Sequence, residues 1–303
     1  MTPRTNLLPF LTTAALGTLG TIVGTAWYVT TRVSPQHPRH YSDDYTFTPW
    51  ELGVPYESIQ LRSADGLALS GWWMPYPGAT EVVIGSHGHS GRKDDLLGIG
   101  TSVWRAGFNV LLFDYRGRGN SEPWPHTLIS REVDDLRAAV AYAQTRVAGA
   151  KIGVVGFSMG AAVAIMAAAQ EPAIAALSVD SSFTSVADVV AHQVRRTMGL
   201  MPPAPIIHAA DEMLVRRHGY RFTQARPIDA MALIGARPIL IIHGANDSTV
   251  PVAQAQRLFA AADAPKQLWV VEGVEHCGGY FADRPAYCER VTRFFEESLR
   301  SEM

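Results

Sequence analysis

The segment Gly156-Phe157-Ser158-Met159-Gly160 stands between a short apolar run, Lys151 to Val155, and an Ala-rich stretch, Ala161 to Gln170. A run of that length reads as a buried strand and the alanines after it as a helix. The five residues must therefore turn a strand sharply into a helix. Glycine on either side of the serine lets neighbouring segments approach closely, and such a turn lifts the hydroxyl above the sheet edge. It also aims the N–H of Met159 and the first turn of the helix at whatever lies beside that oxygen, which favours negative charge there. Ser158 is the candidate nucleophile.

A serine hydroxyl attacks poorly unless a base takes its proton, so the turn calls for a histidine and an orienting acid later in the chain. Ile239 to Ile242 reads as a strand running into His243-Gly244-Ala245-Asn246-Asp247-Ser248-Thr249-Val250-Pro251, which places Asp247 just past its carboxyl end. Gln267 to Val271 reads as another strand, followed by Glu272-Gly273-Val274-Glu275-His276-Cys277, which brings His276 to the same edge. The order Ser158, Asp247, His276 is one of the known orders for such a triad. Asp180, which also ends a strand (Ile174 to Val179), is a rival acid. His243 reads as a structural residue of its strand-end turn, and Glu275 as exposed, because neighbours in an extended loop point apart.

Negative charge developing on a substrate carbonyl needs a second backbone donor besides Met159. The strand Glu81 to Gly85 ends in Ser86-His87-Gly88-His89-Ser90-Gly91, a small-residue loop, and the N–H of His89 is the candidate. The two histidines also suggest a metal site, but no carboxylate or third ligand accompanies them at metal-binding spacing. Neither a metal nor a cofactor is expected.

Further short apolar runs at Val110 to Phe113 and Leu268 to Val271 alternate with helical patterns, among them Arg131 to Val147, Val252 to Ala262 and Tyr287 to Leu299. Buried runs alternating with helices argue for an α/β class with a mostly parallel sheet covered on both faces. Glu57 to Arg62 and Leu67 to Met74, joined by Ala64-Asp65-Gly66, read as a leading antiparallel hairpin.

Taken together, His87-Gly88-His89, the turn Asp114-Tyr115-Arg116-Gly117-Arg118-Gly119-Asn120-Ser121, the Ser158 motif, Asp247 and His276 resemble the alpha/beta-hydrolase superfamily over about residues 56 to 300. The turn and the short middle insertion resemble, within it, the membrane-tethered branch related to dipeptidyl aminopeptidases and acyl-peptide hydrolases. The resemblance implies a serine hydrolase acting through an acyl-enzyme, with Ser158 as nucleophile, His276 as base and Asp247 as orienting acid. The Asp114 to Ser121 turn has two readings: Arg116 or Arg118 beside a substrate carboxylate, or a tight turn shaped by Asp114 and the glycines.

Residues 181–226 interrupt the strand-helix rhythm with an amphipathic stretch, Val186 to Met198, then Met201-Pro202-Pro203-Ala204-Pro205, then a second helical stretch, Ala209 to His218. An insertion after a strand's carboxyl end lies over the catalytic edge, so this is the expected lid. Met198, Leu200 and Met201 either line an acyl pocket or dock the lid. Arg195, Arg196, Arg216, Arg217 and Arg221 form either a solvated face or an attraction for anionic substrates and lipid headgroups.

Thr5 to Thr31 contains no charged residue, and about 20 mostly apolar residues suffice to cross a bilayer. Leu7 to Val29 is read as one transmembrane helix within an anchor of residues 1–33, with Trp27 and Tyr28 at the interface. A cleaved secretory signal competes, since Arg4 precedes the run and Gly24-Thr25-Ala26 is a small-residue site. Gly20 and Gly24 have the spacing of a helix-packing motif. A linker of residues 34–55 and a catalytic domain of 56–303 follow, the domain expected on the extracytoplasmic side.

The 303 residues leave a normal length for one alpha/beta core after the anchor, and the net charge of −2 gives no reason to expect nucleic acid. Cys277 and Cys288 are too few for a disulfide framework, and form either one bridge or two free thiols. The sequence is thus read as a membrane-anchored serine hydrolase cleaving a carboxylic ester or thioester. A peptidase on short peptides and a non-catalytic tethered binding module are the alternatives.

Overall fold

The aliphatic runs of the sequence become the strands β1 Glu57–Arg62, β2 Ala68–Met74, β3 Glu81–Ser86, β4 Asn109–Phe113, β5 Lys151–Phe157, β6 Ile174–Asp180, β7 Ile239–Gly244 and β8 Lys266–Val271. They appear in a computed structural model that describes residues 8–33, 47–199, 201–263 and 265–300. The sheet has the order β1-β2-β4-β3-β5-β6-β7-β8. The hairpin β1/β2 and the pair β2/β4 are antiparallel, and every later pairing is parallel.

Side chains alternate across a strand, and here both alternating sets are buried. Val82 and Ile84 of β3, Ile152 and Val154 of β5, and Ile239 and Ile241 of β7 join one core with the helices α3 Glu132–Arg146, α4 Met159–Ala168, α7 Pro227–Ile234 and α8 Ala253–Ala261. Val83, Val155, Leu240 and Ile242, on the other face, pack with α2 Leu97–Arg105 and α10 Arg284–Leu299. Burial on two faces explains why these strands read as continuous apolar runs, without alternation.

Residues between β6 and β7 form α5 Val186–Met198 and α6 Pro203–His218 before α7. The sequence reading delays the second of these helices to Ala209, after the prolines. Instead, Pro203 and Pro205 lie in the first turn of α6, where a missing N–H has no intrahelical partner to lose.

At the amino end, α1 spans Leu8–Val33 and packs against α6, burying Ala26 and Thr30. Leu19, Val23 and Trp27, four residues apart on one face, stay exposed. Among the described residues no helix is long and apolar enough to cross a membrane. Arg4, Leu7, Leu200 and residues 34–46 of the expected linker lie outside the described residues.

Candidate active site

Ser158 stands between β5 and α4 with φ 52° and ψ −117°, a positive-φ conformation that costs a non-glycine residue about 1–3 kcal/mol. The surroundings hold it there: Ser158 N–H donates to Asp180 O at 2.8 Å, and Ser158 O accepts from Ala162 N–H at 3.1 Å. Both motif glycines are required by close approach. A Cβ on Gly160 would come within 2.2 Å of Ser86 O, and one on Gly156 within 2.7 Å of Gly160 O.

The loops after β7 and β8 reach the same edge and bind each other. Ala245 N–H donates to Val271 O at 2.9 Å, Asn246 N–H to Val274 O at 2.9 Å, and Ser248 N–H to Glu275 Oε2 at 3.0 Å. Glu275 is exposed, as its place in the loop suggests, yet it ties the two loops together. His276 Nε2 lies 2.8 Å from Ser158 Oγ, and its Nδ1 lies 2.6 Å from Asp247 Oδ2. The other Asp247 oxygen, Oδ1, accepts from Thr249 N–H at 2.9 Å and Val250 N–H at 2.7 Å. Burial works against the Asp247 carboxylate, but the hydrogen bonds from His276 and Val250 outweigh it and hold its pKa below the ordinary value.

Asp180, the rival acid, has other partners: Oδ2 accepts from Tyr287 OH at 2.8 Å and Oδ1 from Ser181 Oγ at 2.8 Å. Burial pushes its pKa up to about 6, against the pull of those two hydrogen bonds. Ser181 Oγ also accepts from Cys277 N–H at 3.0 Å, bracing the residue after His276. Ser181 and Cys277 have positive φ, 55° and 54°, so the non-glycine strain of this region gathers around Ser158.

His243 is fully buried, donates from Nε2 to Val250 O at 2.7 Å, and burial lowers its pKa. His87 is equally enclosed. Its Nε2 accepts from Tyr115 N–H at 3.1 Å, which leaves Nδ1 to donate to Gly88 O at 2.8 Å, so both ring nitrogens are spent within the fold. Among the described residues no group of three His, Cys, Asp or Glu could hold a metal ion.

Of the two expected backbone donors, Met159 follows Ser158 directly at the start of α4. The loop bearing His89 crosses close above the serine: a Cβ on Gly88 would lie 3.6 Å from Ser158 Cβ. His89, Ser158 and His276 border one cavity of about 620 Å3, a size suited to small ligands. Leu96, Ile99, Phe157, Tyr280 and Phe281 supply its apolar walls. They come from the turn Lys93–Leu96 and the start of α2, the end of β5 and the short helix α9 Gly279–Ala282. Met198 instead borders a groove between α1 and α5, and Met201 packs against the core, in keeping with a docking role. Only Phe157, inside the serine motif, carried a sequence signal for the walls. The α2 and α9 residues have none, because the fold alone brings them together.

The Asp114 to Ser121 turn shapes the backbone. Asp114 accepts from Lys93 N–H at 2.7 Å and Asn120 N–H at 3.0 Å, and pairs with the Lys93 ammonium. Arg116 is wholly buried against Asp135 at 2.6 Å and Asp65 at 2.9 Å, away from the cavity. Cys277 and Cys288 are free thiols, and burial raises the Cys277 pKa well above its ordinary value.

The chain is similar in sequence and fold to proteins of several lineages. It is 32% identical over 244 residues to the uncharacterized protein Rv2307c of Mycobacterium tuberculosis, covering 79% of each chain. It is 28% identical to the alpha/beta hydrolase domain-containing protein WAV2 of Arabidopsis thaliana, over 74% of this chain and 72% of that one. Among solved structures, the Pyrococcus furiosus esterase Pf2001 superimposes with a TM-score of 0.71 at 25% identity, covering 87% of this chain and 97% of that one. The model of the prolyl oligopeptidase family matches residues 99–302. With an alpha/beta-hydrolase fold, esterase structures as neighbours and that match across most of its length, this chain is an alpha/beta-hydrolase enzyme belonging to the prolyl oligopeptidase family.

Proposed function

We propose that the enzyme hydrolyses a carboxylic ester or thioester through an acyl-enzyme formed on Ser158. The unbroken hydrogen-bonded line from Ser158 Oγ through His276 to Asp247 carries this reading. In it, His276 Nε2 takes the Ser158 proton as Oγ attacks the carbonyl carbon, and later returns it to the leaving alcohol or thiol. Asp247 holds Nδ1–H and stabilises the imidazolium. The N–H groups of Met159 and His89 receive the oxyanion, and water then releases the acid by the same route. No cofactor takes part.

The apolar cavity walls favour an acyl or alkyl arm over a charged one, and residues 181–226, none of which lines that cavity, are the lid of this reading, resting on the acid loop beside it. Peptide hydrolysis is the second reading, favoured by the family match. Attachment through α1 belongs to the same proposal, supported by the uncharged run Thr5 to Thr31 and the exposed Leu19, Val23 and Trp27, with the catalytic domain extracytoplasmic.

Rates on p-nitrophenyl esters of graded chain length, set against aminoacyl anilides, decide between esterase and peptidase. Turnover of esters that disappears in Ser158→Ala is the expected result. Preference for the anilides selects the peptidase, and activity surviving in Ser158→Ala refutes the acyl-enzyme on that residue.

A further inference from the structure

The acid loop of the site is held from outside as well as from within. Thr249 N–H and Val250 N–H both donate to Asp247 Oδ1. The carbonyl oxygens of those same two peptide groups, Ser248 O and Thr249 O, accept from side chains of α5. His192 Nε2 lies 3.1 Å and Arg196 Nη1 2.8 Å from Ser248 O, and Gln193 Nε2 lies 3.1 Å from Thr249 O. Each peptide is thus hydrogen-bonded at both ends, to the carboxylate on one side and to α5 on the other.

A donor on a peptide oxygen polarises the unit and strengthens its N–H as a donor, so consecutive bonds reinforce one another. It also fixes the peptide plane, which sets where the N–H points. Docking of α5 needs none of this, since Val186, Val190 and Val194 already bury its apolar face. His192 and Arg196 stand four residues apart, on one side of the helix, where both reach the same carbonyl.

We infer that His192, Gln193 and Arg196 are positioning residues that hold Asp247 against His276 through the two peptide groups 248–250, so that the seating of the lid completes the catalytic acid. This rests on the triad reading above. A lid that lifts removes all three donors together, and Asp247 loses the support that keeps its carboxylate in line with the imidazole.

The test is a double-mutant cycle on the full chain, using the p-nitrophenyl ester the wild type turns over best. Gln193→Ala/Arg196→Ala should lower kcat about tenfold with KM within about twofold, because the interaction acts on the chemical step. The same pair placed on Asp247→Asn should bring no further loss, and Arg196→Lys alone should retain most of the wild-type kcat. An equal loss in both backgrounds would mean that α5 acts on the structure at large, and overturns the inference, as does no loss in either. If Asp247→Asn itself leaves kcat unchanged, the triad reading fails and takes the inference with it. If only the α5 variants are silent, the inference fails alone. Should the pair not fold, as judged by a thermal melt, Arg196→Ala supplies the same comparison at an exposed position.

Discussion

Ser158 adopts a backbone conformation that an isolated residue avoids, and the atoms enforcing it are close enough to predict what happens when one is moved. A methyl on Gly160 would meet Ser86 O at 2.2 Å and His87 O at 2.4 Å, so Gly160→Ala must push α4 away from the loop above the serine. We expect kcat to fall at least about 100-fold, since a misplacement of about 1 Å costs that much, with a lower melting temperature. Asp180 makes a prediction of the opposite kind. Its folded pKa of about 6 lies above the ordinary 3.8, so its contribution to stability is full below about pH 4 and is lost as the pH rises through 6. Asp180→Asn should therefore gain stability relative to wild type between pH 4 and 7, by up to about 3 kcal/mol for two pKa units. Urea unfolding at both pH values checks the sign. An advantage of the variant that shrinks with rising pH would refute the assignment. The gathering of Ser158, Asp247 and His276 at one sheet edge was legible in the sequence because each stands within five residues of the end of an aliphatic run. The roles of Tyr287 and Arg116 were not, since their carboxylate partners lie 107 residues away for Asp180, and 19 and 51 for Asp135 and Asp65.

At the scale of elements, strands were read more reliably than helix ends. A parallel strand buried on two faces leaves an unmistakable apolar run, whereas α6 begins among prolines that look like a break. Helix C-termini are the least legible, because a remote side chain can satisfy their free carbonyls. Arg237 does so at the junction of α4, β6 and α7. It donates to Ala168 O at 2.7 Å, Ile174 O at 2.9 Å, Glu171 O at 3.2 Å and Ile234 O at 2.7 Å. Arg237→Ala removes all four bonds at a half-buried site, and we expect a loss of about 2–3 kcal/mol from the unmet carbonyls, measured by urea unfolding, with KM unchanged. Unaltered stability would show that water replaces the guanidinium there without cost. The cavity walls belong to this scale too: α2 and α9, far apart in the chain, are brought together by the sheet, and no local pattern marks them.

For the whole molecule, the sheet order places three loops at one edge: those after β3, β5 and β8, with the acid loop after β7 beside them. The insertion helices α5 and α6 lie beside the acid loop, and α1 packs on α6 and borders a groove with α5. If α1 also attaches the enzyme to a membrane, the full chain should remain with the membrane fraction through an alkaline carbonate wash, whereas its appearance in the supernatant would confine α1 to packing. The central claim is the activated serine, and the most direct test is to map where a fluorophosphonate reacts. The folded full chain should carry one modification, on the peptide bearing Ser158, and His276→Ala should carry none. A folded wild type that remains unlabelled, or a label on another residue that persists in Ser158→Ala, would contradict the account.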